Sequence, residues 1–192
     1  MIRSIILEND RVRLSPLTLN NYTKLQSVAA EHKLVQYSPS DIETPVALRT
    51  YVKIALEQQK QRSSFPFIIY DKQARAYAGC TRYMNIDHKN KVLEIGSTWI
   101  GEKFQGSGLN KQMKHLLINH AFNILGFEKV SFRIDERNIQ SRKAVEKLGA
   151  ILEGILRENV YLLDGYKRNT CCYGILKNEW ENLLSRDKYA KK

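Results

Sequence analysis

The chain has 192 residues, of which 43% are hydrophobic and 27% are charged. These values are ordinary for a globular domain, so they exclude a disordered chain, and no apolar run approaches the ~20 residues that cross a bilayer. The N-terminus lacks the apolar segment and cleavage site of a signal peptide. We therefore expect one domain over 1–192, with its core at about 11–180, in the cytoplasm and without membrane contact.

The chain is strongly basic. It carries 31 lysines and arginines against 20 aspartates and glutamates, which gives a net charge of +11. Such a charge attracts anions, including nucleic acid, phosphorylated cofactors and acidic proteins. Because the basic residues are spread along the whole chain, a solvated basic surface explains the charge. Contact with nucleic acid or a ribosome stays an alternative.

Three cysteines and four histidines bear on disulfide and metal chemistry. Cys80 stands alone, whereas Cys171 and Cys172 are adjacent, so the count is odd and CxxC spacing is absent. This arrangement suits neither a disulfide framework nor a zinc site. We expect buried thiols on strands and no metal.

Hydrophobic periodicity and turn residues predict the order of the elements. Strands are predicted at 11–18, 65–71, 76–87, 92–100, 129–135, 150–159 and 167–176. Helices are predicted at 19–32, 45 to about 60, 109–126, 138–149 and 177–186, before a frayed basic tail at 185–192. The short turns within 65–100 imply an antiparallel meander. We expect an α/β (α+β) domain whose mixed, mainly antiparallel sheet is flanked by helices.

The segment GEKFQGSGLNKQM, residues 101–113, joins a predicted strand to a predicted helix. A helix N-terminus presents unpaired N–H groups and about half a positive charge. Glycine lets an anion approach those groups, and no acidic side chain occurs from Phe104 to Lys114. The stretch Gln105–Gly108 therefore predicts a phosphate cradle. The alternative is a turn that uses glycine only for its backbone freedom.

Two common nucleotide-binding patterns do not fit this segment. The Walker pattern GxxxxGK[ST] is absent from the chain. The pattern GxGxxG begins at Gly106 and Gly108 but fails because Lys111 stands at its third glycine.

Several motifs follow one another in a recognisable order. They are Glu94-Ile95-Gly96 with Trp99, Gln105-x-Ser107-Gly108, Asn138-x-x-Ser141, Lys147-Leu148-Gly149, Glu153-Gly154 with Arg157, and Glu179-Trp180. With these motifs, the chain from about Arg11 to Trp180 resembles the GNAT superfamily of acetyl-CoA-dependent N-acetyltransferases. It is most similar to the ribosomal-protein-acetyltransferase-like (RimJ/RimL-type) branch.

The resemblance implies a GNAT fold, in which the central sheet is splayed in the middle. It also implies direct transfer of an acetyl group from acetyl-CoA to a primary amine of a protein N-terminus, a lysine or a small molecule. The acetyl-CoA is then a co-substrate, and the second partner is the amine acceptor.

The resemblance further implies which residues bind acetyl-CoA. Backbone groups of Trp99, Ile100 and Gly101 would pair with the pantetheine arm, Asn138 would contact the arm, and Ser141 would lie near the thiol. N–H groups of one run would hold the pyrophosphate, namely Gln105, Gly106, Ser107, Gly108, Leu109 and Asn110. Asn110 departs from the family pattern, which ends in glycine or alanine there. Charge alone suggests Lys111, Arg142 or Lys143 for the 3′-phosphate.

Transfer to an amine needs a group that removes the amine's proton. A lysine amine has a pKa of about 10.4 and an α-amine one of about 8, so a carboxylate can serve as the base. Glu94, on the strand leading into the predicted groove, is the first candidate and also a substrate-binding residue. Its alternative is an exposed strand carboxylate.

Other carboxylates are weaker candidates for the base. Glu153 and Glu158 lie on a later strand, where solvent exposure is the alternative. Asp135 and Glu136 precede a predicted helix and are better explained as groups that stabilise its N-terminus.

The leaving thiolate needs an acid, and the acceptor needs a pocket. Ser141 is the candidate acid, with a polar residue of the first helical turn as its alternative. Tyr161 and Tyr166 are alternative acids. Tyr37 is the candidate for lining the acceptor pocket, because the first two helices border that pocket in similar proteins.

A second function from the same fold competes with the enzyme. It is a non-catalytic acetyl-CoA-binding module, or an RNA- or ribosome-associated one. An RNA-binding sheet face would interleave aromatic and basic residues, and Arg82-Tyr83 is a single such pair. The presence of both Glu94 and Ser141 favours an enzyme, and monomer and homodimer both stay open.

Overall fold

The computed structural model of the chain describes residues 5–189. Its strands are β1 (Leu7–Glu8), β2 (Val12–Pro16), β3 (Phe65–Asp71), β4 (Ala76–Asp87), β5 (Val92–Ile100), β6 (Lys129–Asp135), β7 (Ile151–Tyr161) and β8 (Lys167–Leu176). Its α-helices are α1 (Gln26–Ala29), α2 (Pro45–Lys60), α3 (Leu109–Asn123), α4 (Ile139–Glu146) and α5 (Lys177–Tyr189). Short 3₁₀ helices occur at Tyr22–Leu25 and Glu102–Phe104.

All eight strands form one sheet in the order β1-β2-β3-β4-β5-β6-β8-β7. Neighbouring strands are antiparallel except β5 and β6, which are parallel. A parallel pair needs a long crossover, and α3 supplies it between these two strands. The predicted meander, the mixed sheet and the flanking helices are confirmed.

The sheet opens between β5 and β6. Residues Val92–Glu94 of β5 pair with Lys129–Ser131 of β6, and the pairing ends there. However, β5 continues to Ile100 and β6 to Asp135. The two strands therefore part in the middle of the sheet, as the splayed fold requires.

Helices pack on both faces of the sheet. On one face, α2 buries Leu48, Tyr51 and Val52. On the other, the Tyr83 hydroxyl of β4 donates a 2.7 Å hydrogen bond to the Leu117 carbonyl of α3. Trp180 of α5 is 1% exposed, and its indole N–H donates to Asn119 at 2.7 Å. These contacts join the helices to one continuous hydrophobic core.

The predicted first helix is wrong in extent. In place of a helix over 19–32, the chain forms the 3₁₀ turn at Tyr22–Leu25 and the single turn of α1. The Asn21 side chain does not cap a helix. It accepts from the Thr18 N–H at 2.8 Å and donates to the Pro16 carbonyl at 2.9 Å, so it holds the end of β2 instead.

Three helix ends also differ from the prediction, and one of them is the end of α4 at Glu146 in place of residue 149. Helix α3 stops at Asn123, three residues before its predicted end, and Ile124 just beyond it is 74% exposed. Helix α5 continues through Tyr189, so residues 185–189 of the predicted frayed tail are helical, and residues 190–192 lie outside the described part. Strand β1 was not predicted, because two residues carry no periodicity.

The cysteines lie on strands β4 and β8 as free thiols. Cys80 and Cys171 are buried as predicted, whereas Cys172 is half-buried. Across residues 5–189, no helix has both the length and the apolar character that a membrane-spanning segment requires.

Gly79 is required because the backbone of β5 lies directly against it. A Cβ at this position would lie 1.9 Å from the Trp99 carbonyl oxygen, and the φ angle is +152°. We predict that Gly79→Ala lowers the free energy of unfolding by about 2–4 kcal/mol, because the backbone of β5 must move. Urea denaturation measures this change.

Gly154→Ala in β7 is the matched control, because a Cβ there would meet nothing within 4 Å. We expect it to change stability by no more than about 0.5 kcal/mol. Equal effects of the two substitutions would contradict the close approach of β4 to β5.

Candidate active site

The glycine-rich segment forms a turn with left-handed backbone conformations before α3. Gly106 has φ +70° and Gly108 has φ +85°, and a Cβ at either position would meet nothing within 4 Å. Backbone conformation rather than crowding therefore selects glycine here. The first turn of α3 contains no acidic side chain. No carboxylate of this turn therefore competes with an anion for the free N–H groups of the helix.

Side chains hold this turn in place. The Gln105 amide donates to the Ile100 carbonyl at 3.0 Å, and the Ser107 hydroxyl donates to the Phe104 carbonyl at 2.6 Å. The Arg11 guanidinium also donates to the Ser107 hydroxyl at 3.2 Å and pairs with Asp71 at 2.9 Å. The loop is thus tied both to the end of β5 and to the start of β2.

A cavity of about 380 Å³ lies beside the turn. Its lining residues are Asp10, Arg11, Gln73, Ser107, Gly108, Lys111 and Gln112. Sequence reasoning missed Arg11, because only the fold brings the start of β2 to the start of α3. Lys111 is exposed there, as its suggested phosphate contact requires.

Glu94 lies where β5 and β6 part. It is the last residue of β5 that pairs with β6, opposite Ser131. The residue is 6% exposed, and its carboxylate accepts a 2.8 Å hydrogen bond from the Asn85 amide. Burial raises the pKa of this carboxyl, and Asn85 together with the cations Arg133, Arg168 and Lys114 opposes the rise.

Strand β5 has an extra residue just beyond Glu94. Between the pairs Arg82–Gly96 and Cys80–Trp99, β5 contains one residue more than β4, and Ser97 has φ +46°. This is a β-bulge, which turns backbone groups away from the regular ladder. The bulge lies on the part of β5 that no longer pairs with β6.

Tyr51 of α2 fixes the bulged strand. Its hydroxyl donates to the Ser97 carbonyl at 3.4 Å and accepts from Arg82 Nε at 3.1 Å and from Trp99 Nε1 at 3.3 Å. Burial raises the pKa of Tyr51, so the hydroxyl stays protonated. Sequence reasoning missed Tyr51, since it is one more apolar position on the buried face of α2.

Lys114 places its amine at the opening between β5 and β6. It belongs to α3 and is only 5% exposed. Its ammonium donates to the Thr98 hydroxyl of β5 at 3.0 Å and lies 5.4 Å from the centre of the Phe132 ring of β6. Thr98 and Phe132 both lie beyond the last paired residues, so this amine sits between the two parted strands.

The predicted residues of α4 stand at its N-terminus. The Asn138 side chain caps the helix by accepting a 3.0 Å hydrogen bond from the Ser141 N–H. Asn138 therefore has a structural role at the start of α4. Ser141 is half-buried, and within residues 5–186 no hydrogen bond joins it to Glu94. Arg142 is bound internally to the Tyr173 hydroxyl and the Glu136 carbonyl, whereas Lys143 is exposed.

The weaker carboxylate candidates are engaged elsewhere. Glu153 pairs with Lys129 at 2.6 Å, and Glu158 is exposed on β7. Asp135 is buried and binds the guanidinium and N–H of Arg137, which keeps the pKa of Asp135 low despite its burial. Glu136 accepts from the Asn169 amide at 2.9 Å.

Tyr37 lies in the loop after α1 and meets the hairpin that joins β7 to β8. Its carbonyl accepts a 2.8 Å hydrogen bond from Arg168 of β8. The Arg137 guanidinium lies 3.6 Å from the centre of the Tyr166 ring and 5.6 Å from that of Tyr37. The loop and the hairpin are thus joined through arginines. Tyr161 is 66% exposed and outside this cluster.

Metal binding has no visible basis in the part of the chain that the structure describes. In it, no three or more His, Cys, Asp or Glu side chains are grouped to hold an ion.

Comparison with known proteins assigns the chain to a family. Residues 11–151 match the model of the acetyltransferase (GNAT) domain. The chain therefore belongs to the GNAT acetyltransferase family.

Two curated relatives carry names that refer to ribosomal acceptors. YdaF of Bacillus subtilis (strain 168), provisionally named a ribosomal N-acetyltransferase, is 32% identical over 59% of this chain and 60% of its own length. The ribosomal-protein-serine acetyltransferase of Escherichia coli (strain K12) is 32% identical over 46% of this chain and 49% of its own length. The matches thus span only about half to three fifths of these relatives.

Solved structures match over nearly the whole chain. A protein from T. thermophilus, provisionally described as an acetyltransferase, superposes with a TM-score of 0.84 at 31% identity, covering 96% of both chains. A GCN5-related N-acetyltransferase from Brucella melitensis has a TM-score of 0.81 at 25% identity over 93% of this chain and 81% of its own.

The buried Lys114 amine should make stability depend on pH. Burial lowers the pKa of Lys114 to about 7, against an ordinary value of about 10.4 in the unfolded chain. Below pH 7 both states are protonated, and the folded state bears the full penalty of a buried cation. Between about pH 7 and 10 the folded state releases the proton first, so the penalty shrinks as pH rises.

We therefore predict that Lys114→Met raises the free energy of unfolding by about 1–3 kcal/mol near pH 6, and that this gain declines toward pH 10. Urea denaturation of both proteins across this range measures the difference. Lys111→Met, an exposed lysine of the same helix, should show no such trend. A gain that is the same at every pH would show that the Lys114 amine is not a titrating buried cation.

Proposed function

We propose that this chain transfers the acetyl group of acetyl-CoA directly to a primary amine. The observation that carries the proposal is the position of Glu94, a buried carboxylate at the point where β5 and β6 part. Membership of the GNAT family supports the reaction, because it favours an enzyme over a non-catalytic module. A protein amine is the favoured acceptor, since two relatives at 32% identity are named for ribosomal acceptors.

The co-substrate would occupy the opening between the strands. Backbone groups of Trp99, Ile100 and Gly101 would pair with the pantetheine arm, since β6 no longer pairs with that part of β5. N–H groups of the glycine turn would hold the pyrophosphate, with the positive end of α3 behind them. The run is Gln105, Gly106, Ser107, Gly108, Leu109 and Asn110. Asn138 and Ser141 would face the arm from α4.

Each chemical task then falls to a group of the chain. Glu94 accepts the proton of the acceptor amine, directly or through a water molecule, and its raised pKa makes it a better base than a free carboxylate. A backbone N–H at the Ser97 bulge polarises the carbonyl oxygen of the thioester. Ser141 donates a proton to the leaving sulfur. Acetyl-CoA itself supplies the activated acetyl group.

We predict that Glu94→Gln lowers kcat by about 10²–10⁴-fold and leaves the affinity for acetyl-CoA unchanged, because a missing base affects only the chemical step. In the parent enzyme the rate should fall as pH drops through the Glu94 pKa, at a pH above the ordinary carboxyl value of about 4.3. Steady-state kinetics across pH, together with calorimetric titration of acetyl-CoA, measures both.

Ser141→Ala should lower kcat by a smaller factor, about 10–100-fold, because solvent can protonate the leaving sulfur in its place. Glu57→Gln is the control, since Glu57 is an exposed carboxylate of α2 that pairs with Lys60. Parent-like kinetics of Glu94→Gln would assign the base to another group.

A further inference from the structure

The charges around Glu94 bear on which amine the site accepts. Three cations, Arg133, Arg168 and Lys114, are close enough to Glu94 to lower its pKa. Two of them are buried, Arg168 with 9% and Lys114 with 5% of the residue exposed. Arg168 binds the Tyr37 carbonyl and the Thr170 hydroxyl, and Lys114 binds the Thr98 hydroxyl. Neither has an exposed charge to offer a second partner.

Arg133 differs from both of these cations. Its side chain is 50% exposed and stands on β6 two residues beyond Ser131, the residue that pairs with Glu94. The contact that the structure gives it is a long one, 3.9 Å from Nε to Glu94 Oε2. A guanidinium has five N–H donors, so most of those on Arg133 remain available to a bound molecule.

Three carboxylates near the opening, by contrast, already accept hydrogen bonds within the chain. Asp135 is held by Arg137, and Glu136 accepts from the Asn169 amide. Glu94 accepts from the Asn85 amide. A polyamine or a lysine-rich segment would require unpaired carboxylates here, and it would also meet a chain of net charge +11.

We infer that the acceptor carries a carboxylate close to its reacting amine and that Arg133 binds this carboxylate. The inference rests on the proposed function, which places the amine at Glu94. An amine within hydrogen-bond reach of Glu94 lies about 4–8 Å from the Arg133 guanidinium. Consecutive Cα atoms are about 3.8 Å apart, so a peptide acceptor would place Asp or Glu at its second or third position. Arg133 is thereby a specificity-determining residue.

The test compares acetyl transfer to peptides that differ only at position two, which is Glu, Gln or Lys. Spermidine serves as a polycation without a carboxylate, and glutamate as a small amine that carries its own. We expect kcat/KM to fall in the order Glu, Gln, Lys, with about a tenfold advantage of Glu over Gln. A preference for the Lys peptide or for spermidine would overturn the inference. Efficient transfer to glutamate would identify a small molecule as the source of the carboxylate.

The variant Arg133→Gln should bring the Glu-to-Gln ratio close to one, and Arg133→Glu should favour the Lys peptide. Loss of Arg133 also changes the pKa of Glu94, but that change affects every peptide equally and cancels in the ratio. Arg13→Gln is the matched control, since Arg13 is 48% exposed and pairs with Glu8 at a similar 3.7 Å. An unchanged ratio in Arg133→Gln would refute the role of Arg133.

Binding separates this inference from the proposed reaction. Calorimetric titration of the same peptides into the CoA-saturated protein requires no chemistry. Tighter binding of the Glu peptide that depends on Arg133, without transfer to any amine, would refute the acetyltransferase proposal and keep the charge preference. Equal binding of the three peptides, or binding of none, would refute the charge preference itself.

Discussion

The separation of β5 from β6 is the constraint on which the rest of this structure depends. Three residue pairs hold the two strands together, and beyond Glu94 each strand loses the other as its partner. Backbone N–H and C=O groups that lose a ladder need other partners, because leaving them unpaired in a protein interior is costly. The separation therefore creates an opening in the sheet, and it leaves backbone N–H and C=O groups there that require hydrogen-bond partners.

The surroundings of the opening keep it from closing. The extra residue at Ser97 breaks the regular ladder, and the Tyr51 hydroxyl holds the bulge against α2. From the other face, the Lys114 amine stands between Thr98 and Phe132. A lysine in such a place is expensive to bury. The buried lysine thus lowers the stability of the fold at the opening, and such a loss of stability is common at active sites.

The same opening explains the electrostatics of the site. The Glu94 carboxylate lies at the point where the opening begins and is removed from water, so its pKa rises. The neighbouring cations limit that rise. Lys114, on the same gap, responds to burial in the opposite sense, and its pKa falls. Arg133 lies 3.9 Å from Glu94, and half of its side chain is exposed. Of the three cations that limit the rise of the Glu94 pKa, Arg133 is the exposed one.

The elements could be predicted because their signals are local. The meander from β3 to β5 follows from short turns between alternating segments, and the turn at Gln105–Gly108 follows from glycines before a helix. A local signal also gave a wrong prediction, because apolar spacing indicated a helix over 19–32 that does not form as one continuous helix. The Asn21 side chain binds the Thr18 N–H and the Pro16 carbonyl and does not cap a helix. That competition between side-chain and helical hydrogen bonds is invisible in the spacing.

The site could be predicted only in part. Glu94 and the glycine turn could be proposed because they belong to motifs, whereas Lys114 looks in the sequence like one more solvated lysine of an amphipathic helix. Arg11 and Arg133 acquire their neighbours only when the sheet has formed. Burial, ion pairing and the closeness of separate strands are tertiary properties, so no pattern within one segment reports them.

Hydrogen exchange measured by mass spectrometry, with and without acetyl-CoA, tests the central claim that the opening is the co-substrate site. The account predicts that acetyl-CoA slows exchange in two segments, 97–101 of β5 and 105–110 of the glycine turn. Gly108→Trp should abolish this protection, because an indole would occupy the cradle. Gly126→Trp should preserve it, since Gly126 has a similar φ of +74° beyond the far end of α3. Binding that protects other segments, or no binding at all, would contradict the account.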